Sequence, residues 1–189
     1  MPKRTRKTPL PDPPFEPAIN QWQSITQAFE EAVFRAVPEN ERRKWINHPL
    51  LSGFYVFSCG YFKKAWGHQW ERKDLAEGVF IYCVGGKGWL KCENKTWTVS
   101  PGDSFYCFPK THHSYGADPE DPWSLYWMHL SGDALSKYER ILNLSQEEPV
   151  IHMGLRTEII NLFRSLLKSF HPVPNESEWL ASTVCAQHI

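Results

Sequence analysis

The sequence lacks an excess of charge of either sign. It has 21 Lys and Arg residues against 21 Asp and Glu residues, so its formal net charge is zero at pH 7. Nucleic-acid-binding domains usually carry a clustered excess of basic residues, which neutralises phosphates. We therefore expect that this polypeptide does not contact DNA by itself.

The sequence also lacks the features of a secreted or membrane protein. Its five cysteines are odd in number and none forms a Cys-x-x-Cys pair, so a reducing cytoplasm is the expected compartment. No apolar run approaches the roughly 20 residues that span a bilayer. The basic residues near the start lead into Pro-rich sequence and not into the apolar core of a signal peptide.

Aromatic residues, in contrast, are abundant: they make up 14% of the chain and include nine Trp, which is ample for a packed core. Short apolar or alternating runs in the middle of the chain are separated by Gly, Pro, Asn and Asp. Such runs are typical of antiparallel strands, and several close together favour a sandwich or barrel. The predicted strands are Phe54–Phe57, Val79–Val84, Trp89–Cys92, Thr96–Val99, Ser104–Phe108 and Leu125–Leu130.

The segments before these strands have other patterns. Residues 1–18 are basic and then Pro-rich, which predicts a flexible N-terminal arm. A barrel domain is predicted over residues 19–132. Within it, residues 19–37 fit a helix or a strand equally well, a short helix opens after Pro38, and residues 62–77 are interpreted as a polar connection.

After residue 132 the apolar period changes from two to 3.6, which predicts a helical segment over residues 133–189. Asn175 is expected to cap a third helix, which is still running at Ile189, so the chain is interpreted as cut within that helix. The spacing of one apolar stripe is close to that of a coiled-coil seam. The stripe either forms a dimer contact or packs on the barrel, and its residues are Leu155, Ile159, Leu162 and Leu166.

Metal binding is one function that such a barrel can have, because barrels of this kind often hold metals through residues on neighbouring strands. The candidate ligands are His68, Glu77, His112, His113 and His129. Adjacent histidines in an extended chain point to opposite faces, so at most one of the pair at 112 and 113 points inward. The sequence predicts no metal and no cofactor. No local signature of a catalytic nucleophile occurs either.

Small-molecule recognition fits the residues better. One face of the last strand carries Trp123, Leu125, Trp127 and His129, and the other carries Ser124, Tyr126, Met128 and Leu130. An aromatic face inside a barrel suits the C–H face of a sugar ring, and Arg72, His113 and Tyr115 offer hydrogen bonds around it. The alternative is that these aromatic side chains only fill the core.

An ordered set of motifs resembles the N-terminal domain of AraC-type transcription regulators. In chain order the motifs are Gly67-His68, Glu71-Arg72-Lys73, Tyr82 to Trp89, Pro101-Gly102-Asp103, Phe108-Pro109, Thr111 to Gly116 and Trp123 to Leu130. The resemblance implies a cupin-type barrel, that is, a double-stranded β-helix or jelly-roll, followed by helices. It also implies a small effector, often a sugar, an arm that closes over it, and a homodimer formed through the helices.

The resemblance also assigns residues. By position, Arg72, Tyr115 and Trp127 match residues that contact the sugar in this family, and with His113 and His68 they form the predicted effector-binding set. DNA contact in the family belongs to a C-terminal domain of two helix-turn-helix motifs, which this chain does not contain. The function predicted is therefore effector sensing and dimerisation, without enzymatic activity. The alternatives are a metal-dependent cupin enzyme and a ligand-free dimerisation module.

Overall fold

The computed structural model describes residues 31–45, 47–171 and 174–189. The strands of these residues are β1 (Glu31–Ala36), β2 (Tyr55–Lys63), β3 (Gln69–Arg72), β4 (Gly78–Gly85), β5 (Gly88–Cys92), β6 (Lys95–Val99), β7 (Asp103–Cys107), β8 (His113–Ala117), β9 (Ser124–Ser131) and β10 (Val150–His152). The helices are α1 (Glu39–Trp45), α2 (Leu135–Ile141), α3 (Thr157–Ser169) and α4 (Glu176–His188).

The strands form two antiparallel sheets. One has six strands in the order β1-β2-β9-β4-β7-β10, and the other has four in the order β3-β8-β5-β6. From β2 to β9 the chain passes repeatedly from one sheet to the other, which is the connectivity of a jelly-roll. The predicted fold class, mainly β with a cupin-type jelly-roll barrel followed by helices, is confirmed.

The six-stranded sheet is buried on both faces, by the other sheet on one side and by helices on the other. Its strands place alternate side chains on these two faces. In β4, Val79 and Ile81 face the space between the sheets, whereas Phe80 and Tyr82 face the helices. Strand β9 does the same: Leu125 faces the space between the sheets, whereas Tyr126 faces the helices. The predicted division of β9 into two faces is therefore confirmed.

Helices α3 and α4 cover the outer face of the six-stranded sheet. The ring of Phe163 on α3 stacks on Tyr126, with centroids 5.0 Å apart. The Trp179 indole on α4 donates a hydrogen bond of 2.8 Å to the Val56 carbonyl. Phe163 and Trp179 are almost wholly buried, and burial of a large apolar side chain contributes about 1.5–3 kcal/mol. The helices are thus part of the same core as the sheet.

The predicted strands are all present and their ends differ by at most one residue, except that β2 continues to Lys63, beyond the predicted end at Phe57. Three strands were missed. Strand β3 lies inside the segment interpreted as a polar connection, and that interpretation is wrong for Gln69–Arg72 and for residues 62 and 63, which belong to β2. Strand β8 spans His113–Ala117, and β10 lies at Val150–His152, within the segment predicted to be helical, where it pairs with β7. These strands have three to five residues, which is too few for a clear period.

The short helix after Pro38 is confirmed as α1. Between residues 33 and 37, the strand alternative is confirmed, because β1 pairs with β2 from Glu31 to Ala36. The helix alternative for the rest of 19–37 and the predicted arm at 1–18 lie outside the described residues. No helix among the residues described is long and apolar enough to cross a membrane, and all five cysteines are free thiols.

The predicted cap of the last helix is confirmed. The Asn175 side chain accepts a 3.0 Å hydrogen bond from the backbone N–H of Glu178, and the Glu178 carboxylate accepts a 2.9 Å bond from the backbone N–H of Asn175. This reciprocal pair is a capping box, which satisfies two backbone donors at the start of a helix. Residues 176 and 178 also place acidic side chains in the first turn.

Candidate functional site

A cavity lies between the two sheets. Its free volume is about 20 Å³, which is room for about one water molecule. Its lining residues are Phe62, His68, Trp70, Arg72, Val79, Ile81, Tyr115, Leu125, Trp127 and His129. Four of the five predicted effector-binding residues are among them.

Trp127 forms much of one wall. It lies on β9 opposite Gly60 of β2, and a Cβ atom at Gly60 would lie 2.5 Å from the Trp127 ring. Glycine at position 60 therefore allows the indole to lie against the β2 backbone. Phe34 stacks on the indole with centroids 5.7 Å apart, and Phe62 packs at 5.6 Å. As a result only 4% of Trp127 is exposed.

Arg72 and Tyr115 come from the four-stranded sheet. Arg72 ends β3, and its guanidinium carbon lies 4.3 Å from the centroid of the Trp70 ring, a cation–π arrangement. Tyr115 lies on the neighbouring strand β8, paired in register with Trp70. These strands were missed in the sequence, yet the side chains that they place at the cavity include two of the predicted residues.

His68 is a neutral hydrogen-bond acceptor inside the barrel. The indole N–H of Trp123 donates a 3.1 Å hydrogen bond to His68 Nδ1. Burial, with a smaller contribution from the positive charge of Arg72, lowers the pKa of His68 to about 3. A neutral imidazole has one acceptor and one donor nitrogen. Because Nδ1 accepts, Nε2 is the donor.

His113 is the predicted residue that does not line the cavity. It shares the inner face of β8 with Tyr115, and their parallel rings have centroids 6.1 Å apart. Its Nδ1 bonds to the Thr111 carbonyl at 3.0 Å, and burial lowers its pKa to about 4. Its neighbour His112 points outward to Glu71, at 2.7 Å. The expectation that only one of the adjacent histidines points inward is thus confirmed.

The candidate metal ligands do not come together as a set. Among the described ranges of the chain, no group of three or more His, Cys, Asp or Glu side chains is arranged to hold a metal ion. Catalytic metals usually take at least three protein ligands. His129 and Glu77 do meet, with Nδ1 and Oε1 3.2 Å apart, at the edge of the cavity.

Sequence reasoning missed several residues of the cavity wall. Val79 and Ile81 line the cavity from β4, and Phe62 lines it from β2. The period of two in β4 was the available signal for its two residues. No local signal marks Phe62, because it lies beyond the predicted strand Phe54–Phe57, at the far end of β2.

The predicted dimer residues divide into two groups. Ile159 and Leu166 on α3 are buried in the core of their own chain, with 7% and 0% exposure. Leu155 precedes α3 and is 59% exposed, and Leu162 is partly exposed. The stripe therefore packs on the barrel at two of its four positions. A dimer contact stays a prediction, for which only Leu155 and Leu162 have accessible side chains.

Comparisons with known proteins agree with this geometry. Residues 56–182 match the family described as the AraC-like ligand binding domain. The MmsAB operon regulatory protein of Pseudomonas aeruginosa is 31% identical over 139 residues, which cover 71% of this chain and 45% of that protein. The chain thus spans less than half the length of this relative.

Similarity to solved structures is weak. A cupin 2 conserved barrel domain protein from Leptotrichia buccalis has a TM-score of 0.35 and 21% identity, covering 59% of this chain and 46% of that one. The protein YhaK from Escherichia coli has a TM-score of 0.39 and 11% identity, covering 55% of this chain and 46% of that one. The fold assignment accordingly rests on the strand order described above.

Proposed function

This chain belongs to the family of AraC-like ligand-binding domains, and we propose that it is the effector-sensing and dimerisation part of a bacterial transcription regulator. The observation that carries the proposal is the cavity between the sheets, where aromatic walls surround a few polar groups. That composition is typical of small-molecule sites. DNA contact would belong to another part of such a regulator, since this chain has no net positive charge.

For the effector we propose a monosaccharide. The wall at Trp127 is aromatic, and Arg72, Tyr115 and the Nε2 donor of His68 provide hydrogen-bonding groups for ring hydroxyls. A sugar ring would need the cavity walls to move apart, because the free volume is about 20 Å³. The His113 ring stacks on the ring of Tyr115 and would support its position.

The mechanism would be a shift between two arrangements of the domain. An effector shifts such an equilibrium only by the difference between its affinities for the two states. Strand β4 connects the relevant parts, because its alternate residues face the cavity and the helices. Effector binding at Ile81 would thereby influence the packing of α3, which we propose takes part in a homodimer.

Isothermal titration with D-glucose, D-galactose, D-mannose, D-xylose and L-arabinose tests the proposal. We expect at least one sugar to bind wild type. Trp127→Ala should abolish binding while the circular dichroism spectrum is retained, because the substitution removes the main aromatic wall. Trp66→Ala is the control, since Trp66 is 40% exposed and does not line the cavity. Failure of every sugar to bind would refute the monosaccharide assignment.

A second candidate is a ligand-free dimerisation module whose barrel Trp127 fills. The packing of Phe34 and Phe62 around that indole favours it. In this case no sugar binds, and Trp127→Ala lowers the free energy of unfolding by about 3–5 kcal/mol, as expected for a core Trp. Chemical denaturation of wild type and of Trp127→Ala measures this loss and distinguishes the two candidate functions.

A further inference from the structure

A buried carboxylate lies behind one wall of the cavity. His129 lines the cavity from β9, and Glu77 lies immediately before β4. Their Nδ1 and Oε1 atoms are 3.2 Å apart, and their side chains are only 10% and 15% exposed. A carboxylate behind a histidine fixes which ring nitrogen carries the proton.

Glu77 is the hydrogen-bond acceptor of this pair. Burial alone would raise the pKa of Glu77, but the hydrogen bond from His129 and the nearby positive charges lower it overall. One of these charges is Arg42 on α1, whose guanidinium carbon lies 4.5 Å from the centroid of the Phe57 ring. An ionised carboxylate only accepts hydrogen bonds. His129 Nδ1 is therefore the donor.

The other ring nitrogen, Nε2, has no hydrogen-bond partner among the residues described. The His129 ring is held edge-on by two aromatic neighbours: Trp127, with centroids 5.5 Å apart, and Phe57, at 5.8 Å. Two rings and one carboxylate thus set its orientation. In the neutral tautomer with Nδ1 protonated, Nε2 carries a lone pair and accepts a hydrogen bond.

We propose that the Glu77–His129 pair is a specificity-determining anchor, in which His129 Nε2 accepts a hydrogen bond from one hydroxyl of the effector. This rests on the proposed function of the cavity. Arg72 lines the same cavity and can only donate. A ligand with an acceptor for Arg72 and a hydroxyl for His129 would bind in one orientation, whereas an analogue lacking that hydroxyl would leave Nε2 unpaired.

Two substitutions at position 129 separate the two ring nitrogens. The amide of Asn reaches the place of Nδ1, so His129→Asn keeps a group beside Glu77 and loses Nε2. The amide of Gln reaches the place of Nε2, so His129→Gln keeps a group toward the cavity. Titration at pH 8, where an ordinary imidazole is neutral, uses the tightest-binding sugar of the panel above and its monodeoxy analogues.

We expect His129→Asn to weaken binding by about tenfold, as for loss of one ligand hydrogen bond, and His129→Gln by about threefold or less. In wild type one monodeoxy analogue should bind about tenfold more weakly than its parent. In His129→Asn that difference should disappear, which a merely structural role of His129 would not produce. Glu77→Gln should weaken binding of the parent sugar by releasing the ring.

The outcomes are distinguishable. If wild type binds sugar and His129→Asn binds it equally well, or keeps the penalty of every deoxy analogue, the anchor is refuted and the effector site remains. If wild type binds none of the sugars, both the monosaccharide assignment and the anchor are refuted. Equal melting temperatures of the variants establish that differences in affinity do not arise from unfolding.

Discussion

His68 lies inside the barrel, with 5% of its surface exposed. Its Nδ1 accepts from Trp123, and its ring contacts Phe62 and Tyr115, with centroids 5.4 Å and 5.8 Å away. In this environment a proton on Nδ1 would remove an acceptor and bury a charge, and both effects oppose protonation. The side chain therefore acts as a neutral spacer between two aromatic walls.

We expect this histidine to make the fold sensitive to acid. The pKa of His68 is about 3 in the folded protein and about 6.5 for an unperturbed imidazole. Between those values the unfolded state binds more protons, so stability falls as the pH is lowered through that window. From pH 7 to pH 5, wild type should lose on the order of 2 kcal/mol more than His68→Asn, which keeps an acceptor.

Urea denaturation at the two pH values measures this difference. His188→Asn is the control, because that side chain is exposed at the end of α4. Equal pH dependence in wild type and His68→Asn would contradict the expectation. At this scale, four of the five residues predicted to bind an effector line the cavity, and three of these were assigned by position through the resemblance. His113 does not line it, because local sequence does not show which inward-facing side chains border a cavity.

Tyr82 joins β4 to the beginning of α3. Its hydroxyl donates a 2.7 Å hydrogen bond to the Gly154 carbonyl and accepts a 3.0 Å bond from the Arg156 backbone N–H. Both partners lie in the short segment between β10 and α3. Ile81, the residue before Tyr82, lines the cavity from the opposite face of β4. Strand β4 therefore connects the cavity wall to the start of α3.

Tyr82→Phe should lower the free energy of unfolding by about 0.5–1.5 kcal/mol, because it removes the two hydrogen bonds between β4 and the segment before α3. The ring contact with Phe163, whose centroid is 6.3 Å away, should persist. Guanidinium denaturation measures the loss, with Tyr55→Phe as the control. The Tyr55 hydroxyl makes no hydrogen bond among the described residues. An equal effect of the two substitutions would show that the hydroxyl of Tyr82 contributes nothing.

Elements with a complete local signal were found from the sequence. The capping box at Asn175 is such a case, because both of its bonds join residues three positions apart. Strand β10 is the opposite case: its three residues are extended because they pair with β7, about 45 positions earlier in the chain. Pairing partners at that separation leave no trace in a window of a few residues.

At the scale of the molecule, the described residues form two apolar clusters, one on each face of the six-stranded sheet, and few large apolar side chains are exposed. Leu155 is one of them, at 59% exposure. Leu162 lies further along the predicted stripe and is partly exposed. If the proposed homodimer uses this surface, these two side chains must contact the partner, since Ile159 and Leu166 are occupied within their own chain.

We expect the double substitution Leu155→Glu and Leu162→Glu to convert a dimer into a monomer, because it would place carboxylates in an apolar interface. Sedimentation equilibrium at several protein concentrations measures the change in mass. Val184→Glu is the matched control, since Val184 is 62% exposed on α4 and outside the stripe. A wild-type monomer, or a double variant that remains dimeric, would refute this interface.

The sequence by itself determined the class of the fold, most of the strands, the capped last helix and, through ordered motifs, the family. These features depend on side-chain period, turn residues and contacts a few positions apart. Only the tertiary structure decided that Ile159 and Leu166 are core residues and that His129 meets Glu77. Each of these facts depends on which distant segments pack together, as Glu77 and His129 do across 52 positions of the chain.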